Sequence, residues 1–105
     1  MNAEEQFEID EVEVEEHGRK GDDKRLPHAR RYVIRVDKTK YTVHVAHMTG
    51  RQILELAGKE SPEQYKLTQK FHGGAAHTVG LDEDVDFRRP GVERFMTLKR
   101  DQTEG

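Results

Sequence analysis

The sequence predicts a small α+β domain, and three observations predict it. Apolar residues alternate in two runs joined by a short polar turn, one helix start with a full set of capping signals follows, and alternation then resumes to the end. A chain of 105 residues with 32% apolar and 37% charged residues has enough material for one small core only.

The first run is Tyr32-Val33-Ile34-Arg35-Val36, rich in β-branched residues, with Tyr32, Ile34 and Val36 on one face. Tyr41, Val43 and Val45 alternate with Thr42 and His44 in the second, and Asp37-Lys38-Thr39-Lys40 is the turn of an antiparallel hairpin between them. Thr49 is placed to cap a helix over 50–58, with Gln52 completing a capping box, Met48 and Ile53 as a hydrophobic staple, and Gly58 as the stop. Ser61-Pro62-Glu63-Gln64 has proline at a first helical position but no apolar run behind it, which suggests a single turn. Tyr65 to Phe71 reads as a third strand and Gly73-Gly74-Ala75-Ala76 as a flexible crossing. Leu81, Val85 and Phe87 mark a short strand, Pro90-Gly91 suits a type II turn, and Val92 to Leu98 reads as the last strand. The expected core is Ile34, Val36, Val43, Ile53, Leu56 and Leu67.

Charge divides the chain. Residues 1–16 carry eight acids and no base, so the remainder sets all 18 bases against 13 acids. In Phe7-Glu8-Ile9-Asp10-Glu11-Val12-Glu13-Val14-Glu15-Glu16 each apolar residue lies among carboxylates, and Gly18 to Pro27 is polar. Such a segment offers little burial against about 1–2 kcal/mol of backbone entropy per ordered residue, so 1–29 is expected to be a disordered acidic tail and linker. A second reading of the same residues is a strand that docks on a sheet edge, of a partner or of its own domain, through Ile9, Val12 and Val14, with the acids meeting a basic rim.

The order strand, strand, helix, strand, short strand, strand is that of the β-grasp, a mixed sheet crossed by one helix, although the pattern alone also fits other α+β folds. Particular segments add to it. Tyr32–Val36, Thr49-Gly50-Arg51-Gln52-Ile53-Leu54-Glu55-Leu56-Ala57-Gly58, Tyr65-Lys66-Leu67, Val85-Asp86-Phe87 and Gly91-Val92-Glu93-Arg94-Phe95 together resemble the bacterial ubiquitin-like domains of the multiubiquitin type. The resemblance covers roughly 31–98. It implies a ubiquitin-like domain over 30–99, a flexible C-terminal tail over 100–105, and a protein modifier that is not itself an enzyme. It further implies an activating enzyme that uses ATP, a conjugating enzyme, a metalloprotease of the deubiquitinase type and target proteins as partners. One operon class of this kind has been tied to antiphage defence. Two features depart from the pattern: the sequence carries one such domain, and it closes on Asp101-Gln102-Thr103-Glu104-Gly105 without a double glycine.

The chemistry expected of such a modifier sits at its last residue. A carboxylate drawn through a narrow channel to the α-phosphate of ATP needs a residue without a side chain, which Gly105 supplies, while Lys99, Arg100, Asp101, Gln102, Thr103 and Glu104 form the tail held by the activating enzyme. A non-conjugated adaptor and a sulfur carrier of the same fold are the alternatives. No other chemistry suggests itself. The six histidines lack helical ligand spacing and there is no cysteine, so no metal or other cofactor is expected, and His44 is at most part of a partner-facing sheet surface. Gly73-Gly74 matches no phosphate loop, and Ser61 and Thr49 are caps rather than nucleophiles. Lys and Arg are interleaved with acids, which argues against nucleic acid. The longest apolar runs are two or three residues, as at Tyr32–Ile34, which argues against a membrane. A cytoplasmic protein, monomeric when free, is the resulting expectation.

Overall fold

The computed structural model describes residues 6–100. In chain order these form β1 (Ile9–Glu13), α1 (Val14–Arg19), β2 (Ala29–Val36), β3 (Thr39–Val43), β4 (His47–Thr49), α2 (Gly50–Leu56), β5 (Tyr65–Phe71), β6 (Ala76–Val79), β7 (Asp84–Asp86) and β8 (Val92–Lys99). Single 3-10 turns at Pro62–Gln64 and His72–Gly74 flank β5.

The expected hairpin is β2 and β3, antiparallel from Tyr32↔Val43 to Val36↔Thr39. Its turn places Asp37 in the left-handed region at φ 56°, a conformation that Asp adopts more readily than most residues. The Asp37 carboxylate then accepts from the Thr97 backbone N–H at 2.9 Å and from the Thr97 hydroxyl at 2.7 Å, fastening the hairpin to the last strand. That strand, β8, lies between β2, which it meets in parallel at Val36↔Phe95, and β5, which it meets antiparallel from Tyr65↔Lys99 to Phe71↔Val92. β6 closes the far side against β5. The sheet is mixed and crossed by α2, giving the β-grasp architecture.

α2 begins as its sequence dictates. The Thr49 hydroxyl accepts from the Gln52 backbone N–H at 3.2 Å, and the Gln52 side chain accepts from the Thr49 N–H at 2.8 Å. Gly58 ends the turn at φ 83°. Gly50 is needed for a different reason: a Cβ there would stand 2.3 Å from the Gly80 carbonyl oxygen. Ile53 and Leu54 bury completely and join Tyr32, Ile34, Val36, Leu67 and Phe95 in one cluster. Leu56 differs from expectation. It is only half-buried, because helical geometry turns it to the rim while Leu54 takes the inward position.

Other corrections are local. The second strand stops at Val43, and the chain bends through His44–Ala46, leaving Val45 51% exposed rather than inward. The segment read as a flexible crossing is a tight turn, with Gly73 and Gly74 at φ 88° and 95°, leading into β6. The short strand near Val85 leaves the main sheet and pairs with β4, His47↔Asp86 to Thr49↔Asp84.

The largest correction concerns the acidic segment. Among residues 6–29 the expected disorder gives way to a strand and a helical turn built into the domain, and Met1–Glu5 lie outside the described residues. β1 runs parallel to β2 through Ile9↔Ala29, Glu11↔Arg31, Val12↔Tyr32 and Glu13↔Val33. Tyr32 and Val33 pair with β3 on the opposite side, and Val36 pairs with both β3 and β8. β1 and β8 therefore share one edge of β2, β1 along its first half and β8 at its end. α1 fills the gap between them. We call residues 6–19 the strap. Val12 and Val14 are 1% and 2% exposed, and the burial they gain is what the acid-rich local sequence conceals.

Candidate functional site

Two surfaces carry the residues singled out in the sequence. The first is the outer face of β8 and its neighbour β5. Along β8 Phe95 points to the core, so Arg94, Met96 and Leu98 point outward, the last two 40% and 44% exposed. Across the ladder Leu98 faces Lys66, Met96 faces Thr68 and Arg94 faces Lys70. An apolar pair is thus ringed by cations, and a hollow of about 270 Å³ lined by Asp37, Lys38, Arg94 and Met96 adjoins it. Met96 and Leu98 were not singled out beforehand. Their signal was the alternation of Val92 to Leu98, which has an outward as well as an inward set.

β8 is the last strand before the residues expected to form the tail. Lys99 is its last residue, opposite Tyr65, and so belongs to the sheet rather than to the tail. Arg100 is exposed just beyond it, and Asp101, Gln102, Thr103, Glu104 and Gly105 lie outside the described residues.

The second surface is the seat of the strap. Of its predicted docking residues, Ile9 is 46% exposed while Val12 and Val14 are enclosed by the chain's own domain. The acids meet bases on the next two strands: Asp10 with Arg30 at 3.1 Å, Glu11 with Arg31 at 2.9 Å, Glu15 with Arg35 at 2.9 Å and Glu13 with Lys40 at 2.9 Å. Three of the four pairs are twenty residues apart, the offset that the parallel register imposes. That regular spacing was the overlooked signal.

Glu15 is 4% exposed. Burial pushes its pKa up, but the Arg35 hydrogen bond and the charges of Arg35, Arg19 and Lys40 together outweigh this and hold it below the usual carboxylate value. A depressed folded pKa contributes stability that is complete above the unfolded value, about 4.3 for Glu, and is lost as pH falls through the folded value. Glu15→Gln is expected to cost on the order of 1–3 kcal/mol near neutral pH and to flatten this acid-side loss. Denaturant melts of both proteins from neutral to acid pH check it; parallel pH profiles would refute the assignment.

His44 is exposed in the bend after β3, and the other three histidines of the body pair with acids: His47 with Asp84 at 2.6 Å, His77 with Glu83 at 2.7 Å and His72 with Glu93 at 3.8 Å. Among the described residues no three His, Cys, Asp or Glu side chains gather where a metal could be held, and no helix is long and apolar enough to cross a membrane. No curated protein and no solved structure matches the chain. A family model does, that of multiubiquitin, over residues 32–100, from the body of β2 through β8. The hairpin, the crossing helix and the last strand lodged between β2 and β5 are the ubiquitin-like arrangement, and the chain belongs to the multiubiquitin family.

Proposed function

We infer that the domain is a ubiquitin-like protein modifier, used in a bacterial ubiquitination-like pathway of the kind tied to antiphage defence. In this reading a partner activating enzyme binds the outer face of β8 and β5 and draws in the residues after Lys99. An oxygen of the Gly105 carboxylate attacks the α-phosphate of ATP, pyrophosphate leaves, and the acyl adenylate passes its acyl group through an activated ester to an amine of a target, forming an isopeptide bond. ATP and the catalytic groups belong to the partners. A conjugating enzyme carries the acyl group and a deubiquitinase-like metalloprotease reverses the linkage. The domain supplies the carboxylate, a tail narrow at its end and a surface to be recognised, and it acts in the cytoplasm.

The observation that supports this reading most is the family match over a domain whose last strand is bonded on both sides, by β2 and β5. A strand so held gives the following residues a fixed point of departure, with Met96 and Leu98 exposed beside it. The same exposed face also favours a second reading, a β-grasp adaptor that binds a partner without covalent transfer.

One paired assay separates them. Deleting Gly105, or replacing it with Val, is expected to abolish ATP-dependent adduct formation with the cognate activating enzyme. Stability should stay within about 0.5 kcal/mol, as for surface changes generally. Transfer that persists without Gly105 would overturn the modifier reading. An adaptor gives no adduct from the intact chain and unchanged partner affinity after the deletion.

A further inference from the structure

The strap lies outside the region that defines the family, since the match begins at residue 32, and it serves no step of the function proposed above. Its seat is a basic strand edge. Arg30, Arg31 and Arg35 of β2 and Lys40 of β3 each hold one of its acids, while Val12 and Val14 fill the apolar floor. We propose that this seat is a receptor for an acidic, valine-bearing strand, and that the strap of a second copy of this chain occupies it by exchange.

Three observations carry the inference. Each of the four ion pairs, like the parallel ladder Ile9↔Ala29 to Glu13↔Val33, joins the strap to the body and none lies within the strap, so a second copy's strap makes the same contacts unchanged. The connection is built to open. Lys20 to Arg25 are all exposed, and Gly21 turns the chain at φ 68°, a conformation that glycine exchanges freely for an extended one. Those six residues reach about 20 Å when extended. The hinge also has a fixed far end. Leu26 is 4% exposed, its N–H donates to the Arg88 carbonyl at 2.9 Å, and its carbonyl accepts from Arg88 Nε at 2.8 Å, so the strap can swing while the body keeps its anchor. Exchange of an identical element across such a hinge keeps the strap's contacts with a body, gives up those of the turn, such as the Gly21 N–H to the Gly18 carbonyl at 3.1 Å, and otherwise trades association entropy, which concentration offsets.

The chain has no cysteine, so an introduced pair reports one contact. Glu11→Cys and Arg31→Cys are made separately in the full chain, and together as a reference. In a mixture of the single variants, exchange sets the strap thiol of one molecule against the β2 thiol of the other and leaves a native Glu11–Arg31 pair at the reciprocal seat. It cannot cross-link either variant to itself, because the thiol of E11C then faces the native Arg31 and the thiol of R31C faces the native Glu11. Under mild oxidation at high protein concentration the ratio of mixed disulfide to the two homodimers together is expected to exceed its statistical value several-fold, and to fall on dilution. A statistical yield, with the double variant closing within single molecules, would overturn the proposal and reserve the seat for the chain's own strap. A double variant that does not close at all would overturn the pairing on which it stands.

Discussion

Replacing Phe95 with alanine is expected to remove about 3–5 kcal/mol of stability, a large share of the roughly 5–15 kcal/mol available to a domain of this kind. Phe95 is fully buried at the centre of the strand that joins both halves of the sheet. Its ring meets Phe87 edge-on at 6.5 Å between centroids, and Phe87 in turn lies 6.2 Å from Tyr32. The residue also holds the hairpin, because its carbonyl accepts from the Asp37 N–H at 2.8 Å. Truncation leaves a void beside the Phe87 ring, on a sheet whose strands are held in place by their ladders. A urea melt should show a lower midpoint with an unchanged slope. A loss below about 1 kcal/mol would mean that the three rings do not form the centre of the core.

Gly18→Val should act on the strap and spare the domain behind it. A Cβ at Gly18 would stand 1.9 Å from the Val92 carbonyl oxygen and 2.5 Å from its carbon. Val92 cannot retreat, since it is laddered to Phe71 on β5. Helix propensity would favour the substitution, so the steric conflict alone decides the outcome. The strap is then expected to leave its seat. The loss is on the order of 2–4 kcal/mol, because burying two valines at about 1.5–3 kcal/mol each is partly offset by regained chain entropy. Limited proteolysis should cut at Arg19 to Arg25 much faster than in the parent while the body resists. Equal cleavage of both proteins would show that α1 does not pack on β8.

Elements specified by neighbouring residues were legible in the sequence. The hairpin, the Thr49 cap, the Gly58 stop and the last strand each depend on a period or motif within about ten residues. What escaped depends on distant partners. The segment Phe7 to Glu16 looks unable to fold because its own acids outnumber its apolar residues, and only Arg30, Arg31, Arg35 and Lys40 reverse that balance. β6 escaped because Val79 alone among its four residues is buried, which leaves no alternation to read. β4 escaped because it is three residues long and exists only through its pairing with β7, the short strand read at Val85. At the site, alternation along β8 was read for its inward face, and Met96 and Leu98 were passed over. The reactive end rests on the family resemblance and on Gly105, which lies outside the described residues.

An acidic segment preceding the ubiquitin-like domain is woven into its sheet, along the edge of β2 that β8 leaves open. Backbone amide relaxation of the full chain at Val12 and Val14 tests it most directly. The strap as described gives order parameters near 0.85, those of rigid backbone, at both residues and on through β2. Values below about 0.6 at Val12 and Val14, with β2 still rigid, would contradict it and return the segment to a flexible tail.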